Sequence, residues 1–178
     1  MSILEIPLIA TIRRNHALEH ATIHVLTQRN PRRYLVGRTT TVGFYLFGEV
    51  ETEEVAAAVS EALARLRRGE HDLAVHPRCG TNLATAGLLA GLFSFVAMSG
   101  RSKSRLAKLP KVLLAATIAV IAAQPLGLAL QQYVTTLPEV EGVTVEGITR
   151  QEKGQVVVHR IYLGIRESGN QGSGNQAS

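Results

Sequence analysis

Three histidines and one glutamate lie close together near the start of the sequence, where residues 15–24 read N-H-A-L-E-H-A-T-I-H. On a helix, Glu19, His20 and His24 stand at about −60°, +40° and +80° from His16, so all four share one face. Two imidazoles one turn apart can bind the same metal ion. H-x-x-E-H is the inverted order of a metalloprotease pair. In such sites the metal lowers the pKa of bound water towards about 7, and the glutamate takes its proton.

A histidine pair alone is weak evidence, because short matches of this kind also occur by chance on exposed polar helix faces. A second group of metal-binding residue types strengthens the prediction. Residues 76–82 read H-P-R-C-G-T-N and lie directly before a long uncharged stretch. His76 and Cys79 are three positions apart, and nitrogen and sulfur ligands together suit zinc. The sequence therefore predicts a zinc site formed by His16, His20, His76 and Cys79.

The two motifs in this order, ahead of an apolar span, resemble an uncharacterised bacterial membrane-protein family. They also resemble the YqhQ-type membrane proteins, which carry a similar motif pair and are described as predicted metal-dependent enzymes. The resemblance covers about residues 13–100, and its matching positions are His16, Glu19, His20, His76, Cys79, Gly80 and Thr81. It implies a metal site but names no substrate, and His24 lies outside the shared part.

Three hypotheses about function follow. In the first, the protein is a zinc hydrolase or protease. His16 and His20 are ligands together with His76 or Cys79, Glu19 is the general base, and one coordination position is open to water. His24, Thr81 and Asn82 would then support the site, with Thr81 or Asn82 hydrogen-bonded to substrate. In the second, all four ligands close a structural zinc site that presents a scaffold to a partner protein. In the third, no metal binds, and the histidines form a pH-sensitive interface.

The elements that position these residues are predicted from periodicity and from helix and turn signals. A helix is expected over about residues 7–28, followed by a β-hairpin with strands at 34–37 and 42–47. A second helix is expected to begin with Thr52 as its N-cap and to stop at Gly69. Its buried face is predicted to consist of Val55, Val59, Ala62, Leu63 and Leu66.

Two stretches, residues 81–99 and 112–130, carry no charged residue. A helix needs roughly 20 apolar residues to cross a bilayer core about 30 Å thick, and both stretches come close to that length. We therefore expect two transmembrane helices; the alternative is a buried helical hairpin of a soluble protein. The first contains G-x-x-x-G at residues 87–91, which permits close helix approach in lipid. Pro125 predicts a kink in the second.

After Pro138 the sequence alternates again, as in a β-hairpin, with a turn near Lys153 and Gly154. We expect this hairpin to join the first one in a sheet. The predicted fold is an α+β membrane protein, with two transmembrane helices and a small soluble part of helices and β-hairpins. Its divisions are 1–80 (soluble or membrane-apposed, with the metal motifs), 81–133 (helical hairpin), 134–167 (C-terminal β-hairpin) and 168–178 (a low-complexity, disordered tail).

Composition limits the partners. Aromatic residues make up 4% of the chain and tryptophan is absent, so we expect no nucleic acid, and the net charge of +5 favours anionic lipid. The expected partners are the lipid bilayer and a protein or peptide substrate.

Five basic residues between the two spans balance five on their flanks, so the positive-inside rule does not decide orientation. About 80 residues without an export signal precede the first span, which favours a multi-pass cell-membrane protein with cytoplasmic termini.

Overall fold

The computed structural model describes residues 3–99, 106–154 and 156–166 of the chain. Within these ranges the α-helices are α1 (Pro7–Arg29), α2 (Thr52–Arg67), α3 (Gly80–Met98) and α4 (Leu109–Leu130). The strands are β1 (Val36–Thr40), β2 (Gly43–Phe47), β3 (Val143–Lys153) and β4 (Val156–Ile165). The tail predicted to be disordered, residues 168–178, lies outside the described residues.

The four described strands form one antiparallel sheet in the order β1-β2-β4-β3. β4 pairs with β2, and Tyr45 lies opposite Arg160 in that register. The C-terminal hairpin therefore extends the sheet begun by the N-terminal hairpin, which confirms that expectation. In this order β1 is an edge strand, and its outer edge faces away from β2.

Two local predictions were wrong in detail. The first hairpin pairs Val36–Thr40 with Gly43–Phe47, because a two-residue turn joins Thr40 to Gly43 and sets the register. Gly43 has φ +137°, a conformation that L side chains rarely adopt. Thr52 is not the N-cap of α2: Glu51 holds that position, and the Thr52 hydroxyl lies 3.2 Å from Nε2 of His159 instead.

Helices α1 and α2 cover one face of the sheet and form the core with it. The predicted buried face of α2 is confirmed, since Val55, Val59, Ala62, Leu63 and Leu66 are all buried. These side chains belong to one cluster with Leu18 and Leu26 of α1 and with Phe44, Leu46 and Ile161 of the sheet. The helix ends at Arg67, and Gly69 follows with φ +88°, as the stop signal predicted.

Helices α3 and α4 pack mainly against each other and leave most of their apolar side chains exposed. By length and composition, Gly80–Met98 and Leu106–Thr135 could each cross a membrane, with mean hydropathies of 1.5 and 2.1. A core helix of a soluble protein is mostly buried, whereas only 17% of each apolar window is buried here. The fold is thus α+β, with two helices long and apolar enough to span a membrane.

The close approach of α3 to α4 does not use the G-x-x-x-G residues. A Cβ at Gly87 or Gly91 would meet nothing within 4 Å in the described chain. The helices approach instead at Gly127 of α4, where a Cβ would lie within 3.0 Å of the Asn82 side chain. α4 continues through Pro125 and passes into a π-helical turn, Gln131–Thr135, which brings the chain back towards α1.

Candidate metal centre

Three of the four predicted ligands come together between α1 and the start of α3. The ligand atoms of His16, His20 and Cys79 all lie within 4.8 Å of one another. Nε2 of His16 is 3.4 Å from Sγ of Cys79. Around a tetrahedral zinc ion with Zn–N and Zn–S bonds of about 2.0–2.1 and 2.3 Å, a nitrogen–sulfur separation of about 3.5 Å is expected. The donor types and the His16–Cys79 separation therefore fit a zinc site.

Both histidines of this group are oriented by main-chain carbonyls. Nδ1 of His16 donates to the carbonyl oxygen of Thr135 at 2.9 Å, and Nδ1 of His20 donates to that of Ala74 at 2.7 Å. These bonds place a proton on Nδ1, so the lone pair of the neutral ring is on Nε2; in His16 this nitrogen faces Sγ of Cys79. A second hydrogen bond of this kind fixes ring orientation in metal sites. It also keeps the metal-binding nitrogen unprotonated.

Burial also favours the unprotonated form of the metal-binding nitrogen of His20. Its side chain is 2% exposed, and this burial, reinforced by the charge of His16, lowers the pKa of His20 to about 3. The hydrogen bond to Ala74 opposes the shift but does not reverse it. The neutral imidazole, which is the metal-binding form, therefore predominates across the physiological pH range.

Cys79 occupies the N-cap position of α3. Its sulfur accepts the backbone N–H of Thr81 at 3.4 Å and lies 3.5 Å from the Thr81 hydroxyl oxygen. A cysteine binds metal ions through its sulfur, and this sulfur faces Nε2 of His16. Thr81, predicted to support the site, thus lies directly beside the candidate sulfur ligand.

Glu19 lies under β1, at the wall of the same cavity. Its side chain is 5% exposed, and Oε2 accepts a short hydrogen bond from the Thr39 hydroxyl. A Cβ at Gly37 would lie within 3.0 Å of three atoms of the Glu19 side chain, so glycine makes room for the carboxylate. Burial raises the pKa of Glu19 above its usual value of 4.5, while the Thr39 hydroxyl and the charge of His16 oppose this rise.

His76 and His24 lie next to the group without joining it. Nδ1 of His76 accepts the backbone N–H of Arg78 at 3.2 Å, which places the proton of the neutral ring on Nε2. Burial, with the charges of His24 and Arg78, lowers the pKa of His76 to about 4. Nε2 of His24 donates to the carbonyl oxygen of Val75 at 2.9 Å. The structure therefore brings His16, His20 and Cys79 together and leaves His76 and His24 beside them.

The candidate ligands and Glu19 open onto one cavity of about 410 Å³. Helix α1 provides its floor, β1 and the preceding loop form one wall, and the start of α3 forms the other. Its lining residues are His16, Glu19, His20, Ile23, Tyr34, Leu35, Val36, Gly37, Thr39, His76, Arg78, Cys79, Gly80 and Thr81. His16, His20 and Cys79 could hold a metal ion at the edge of this space.

Residues 11–148, which include both sequence motifs, match the family model described as a domain of unknown function, DUF6391. The match covers more than half of the chain. The chain belongs to the DUF6391 family. Every candidate ligand, together with Glu19 and the edge strand above it, lies within the matched residues.

The DUF6391 chain is also similar to an uncharacterised protein of the cyanobacterium Picosynechococcus sp. (strain ATCC 27264 / PCC 7002 / PR-6). The two are 42% identical over 134 residues, which is 70% of this chain. The aligned part makes up 65% of the relative's length. No solved structure matches the chain.

A buried amide network holds the Cys79 loop of the DUF6391 chain against α4. Gln131 is fully buried; its Oε1 accepts the backbone N–H of His76, and its Nε2 donates to Oδ1 of Asn82, both at 2.8 Å. Nδ2 of Asn82 donates to the carbonyl oxygen of Pro77 at 2.8 Å. Asn82 thus supports the loop from within, and it is not among the residues that line the cavity of the candidate ligands. Sequence analysis missed Gln131, whose one signal is a polar residue at the end of an apolar run.

The turn after α4 is also fastened to α1. Arg13 donates to the carbonyl oxygens of Tyr133 and Thr136 at 3.2 and 3.0 Å, and the backbone N–H of Leu137 donates to the carbonyl of Arg13. These bonds fix the π-helical turn whose Thr135 carbonyl orients His16. Main-chain carbonyls of this kind have no sequence signature, so the partners of His16 and His20 could not be predicted.

Proposed function

We propose that this chain is a zinc-binding integral membrane protein that hydrolyses peptide bonds, with His16, His20 and Cys79 as metal ligands and Glu19 as general base. One observation carries the proposal: three zinc-type ligand atoms and a buried carboxylate border the same cavity. The resemblance of the paired motifs to predicted metal-dependent membrane proteins favours the same conclusion. The exposed apolar surfaces of α3 and α4 support a bilayer location.

The donor set supports zinc in particular. Two imidazole nitrogens and one cysteine sulfur form a ligand set of the type found in zinc enzymes with an open position. When bound, zinc supplies Lewis acidity that polarises a carbonyl and acidifies a water molecule. The hydrogen bonds to Thr135 and Ala74 hold the His16 and His20 rings in place, so both rings would be oriented for binding the metal.

Glu19 has the properties of a proton carrier. Its raised pKa brings it nearer to the pH at which a general base works well, and its burial excludes competing solvent. In hydrolysis it would take a proton from the attacking water as the oxygen bonds to the substrate carbonyl carbon. It would then deliver that proton to the leaving nitrogen as the C–N bond breaks. The Thr39 hydroxyl holds the carboxylate in position.

A structural zinc site is the second candidate, and one feature favours it. The group joins three parts of the chain, because His16 and His20 lie on α1, Cys79 caps α3, and His16 also binds the turn after α4. A metal there would fasten the soluble layer to both candidate membrane helices. The four-ligand closed site predicted from sequence would need His76 as well, and its Nδ1 is already hydrogen-bonded to Arg78.

Glu19→Gln separates the two candidates. The full-length protein and this variant, each purified in detergent micelles, are incubated with a complex peptide mixture, and new termini are identified by mass spectrometry. We expect about one zinc per chain in both proteins and cleavage by the wild type alone. Equal zinc contents with no cleavage above the variant's background would favour the structural site. Loss of zinc from Glu19→Gln would show that the carboxylate is needed for metal binding and would contradict its role as a base.

A further inference from the structure

The main chain of β1 carries unpaired hydrogen-bonding groups on its outer edge. Gly48 donates its backbone N–H to Val157 of β4, and Leu163 of β4 donates its own to Val42. The main-chain N–H and C=O groups of even-numbered β2 residues therefore point to β4. Those of the odd-numbered β2 residues point to β1. In β1, the residues opposite the odd-numbered residues of β2 are Val36, Arg38 and Thr40, so their main-chain groups point to β2. It follows by alternation that the N–H and C=O groups of Gly37 and Thr39 point away from the sheet.

These outward groups lie beside the metal centre. Within residues 3–99, 106–154 and 156–166, the main-chain N–H and C=O groups of Gly37 and Thr39 have no hydrogen-bond partner. Both residues line the cavity that contains His16, Glu19 and Cys79. An unpaired strand edge is a template for another strand, and here it borders a space of about 410 Å³.

The wall opposite β1 is formed by a turn and the beginning of a helix. It consists of the turn at Arg78 and the first residues of α3, where a Cβ at Gly80 would meet nothing within 4 Å. Helix α1 forms the floor of the cavity, which is lined there by His16, Glu19 and His20. A strand placed next to β1 would continue the sheet over α1, so every second side chain and the intervening main chain would lie over the candidate metal ligands.

We propose that the free edge of β1 binds the substrate as an extended polypeptide segment, which adds a fifth strand to the sheet and passes over the metal centre. This inference rests on the proposed function and names its substrate class. β1 has five residues, or about 17 Å of strand, so it pairs with about four or five substrate residues. Recognition comes from substrate main-chain groups at alternate positions. Small esters and lipids lack that repeating pattern of donors and acceptors.

A backbone scan of a peptide probe tests the proposal by binding, without turnover. The probe is an N-acetylated tetrapeptide of alternating alanine and leucine with a C-terminal hydroxamate, which binds metal. Four derivatives carry an N-methyl group on one peptide nitrogen each. Dissociation constants are measured from the visible absorption band of the cobalt-substituted full-length protein in detergent micelles. Acetohydroxamate, which has no peptide chain, serves as the reference ligand.

We expect the parent peptide to bind at least about tenfold more tightly than acetohydroxamate, since several main-chain hydrogen bonds add to metal binding. N-methylation should weaken binding about tenfold or more at alternate nitrogens, and less than about threefold at the nitrogens between them.

Two outcomes would overturn the proposal, and they can be told apart. If acetohydroxamate binds but all four N-methyl derivatives bind like the parent, or the parent binds no better than acetohydroxamate, the strand edge is not the substrate site. The proposed function would survive that result. If the protein takes up no cobalt, or acetohydroxamate leaves the spectrum unchanged, the open metal site fails and the peptide proposal fails with it.

Discussion

Gly37→Ala tests the contact between β1 and the candidate general base. The added Cβ would lie within 3.0 Å of three atoms of Glu19, closer than real Cβ atoms approach. Glu19 is 5% exposed and accepts a hydrogen bond from Thr39, so it cannot move aside without breaking that bond. We therefore expect Gly37→Ala to lower the free energy of unfolding.

The expected loss is about 2 kcal/mol. Overpacking a buried site costs about 1–3 kcal/mol, and a hydrogen bond to a charged group contributes about 1.5–3 kcal/mol. The two costs are alternatives rather than additive, because the carboxylate either stays and is compressed or moves and loses the bond. For a chain of this size, 2 kcal/mol lowers the Tm by about 4–8 °C. Gly147→Ala on β3 is the matched control: its Cβ would meet nothing within 4 Å, so its effect should stay within about 0.5 kcal/mol.

A double-mutant cycle identifies the cause of the loss. Because the chain has no tryptophan, unfolding of the full-length protein in micelles is followed by far-ultraviolet circular dichroism. In a Glu19→Ala background the overlapping side chain is absent, so Gly37→Ala should cost at least about 1 kcal/mol less than in the wild type. If Gly37→Ala costs the same in both backgrounds, or nothing in the wild type, the proposed packing of Glu19 against β1 is refuted.

Three further predictions concern other parts of the structure. Burial, with the charge of Arg150, lowers the pKa of His159 below its usual 6.5, so the neutral form stabilises the fold above pH 6.5 and this stability is lost as the pH falls below that value. His159→Gln should therefore show a smaller loss of Tm than the wild type between pH 7 and 5, and equal losses would contradict this. Gln131→Leu leaves the buried partners of the amide unpaired and should lower the free energy of unfolding, measured by chemical denaturation, by about 1–3 kcal/mol. Gln132→Leu, at an exposed position, should be near neutral, and equal effects of the two variants would rule out the amide network. Thr39→Val removes a bond that lowers the pKa of Glu19, so the acid limb of any pH–rate profile should move to higher pH, and an unchanged limb would count against Glu19 as the base.

Much of the fold follows from local signals in the sequence. The apolar spacing of α2 and its glycine stop define that helix, and the length of the uncharged stretches defines α3 and α4. The shared face of His16, Glu19 and His20 follows from helical periodicity alone. These features depend on residues a few positions apart, and that is the range in which side-chain pattern determines local structure.

The rest of the site depends on contacts between distant segments. Cys79 meets His16 across 63 positions, and the short turn His71–Ala74, which packs against α1, places the start of α3 beside that helix. The carbonyl groups that orient His16 and His20 carry no residue-type signal. His76 was predicted as a ligand from its spacing to Cys79, but its ring orientation depends on a turn in which it accepts the N–H of Arg78.

The position of Glu19 under an edge strand was also beyond sequence analysis. It depends on the register of the first hairpin, which the sequence did not predict; the predicted first strand, 34–37, begins two residues before the observed β1. With the observed register, Gly37 and Thr39 face Glu19, and their main-chain groups border the cavity. A small error in strand register is thus enough to hide the relation between a catalytic candidate and its neighbours.

The metal content of the purified full-length protein tests the central claim most directly. Elemental analysis should find about one zinc per chain in the wild type and in His71→Ala, which removes an exposed histidine outside the group. His20→Ala and Cys79→Ser should each lose most of the metal, because each removes one of the three converging ligands. Less than about one zinc per few wild-type chains, or full retention of zinc by His20→Ala, would contradict a metal centre at His16, His20 and Cys79.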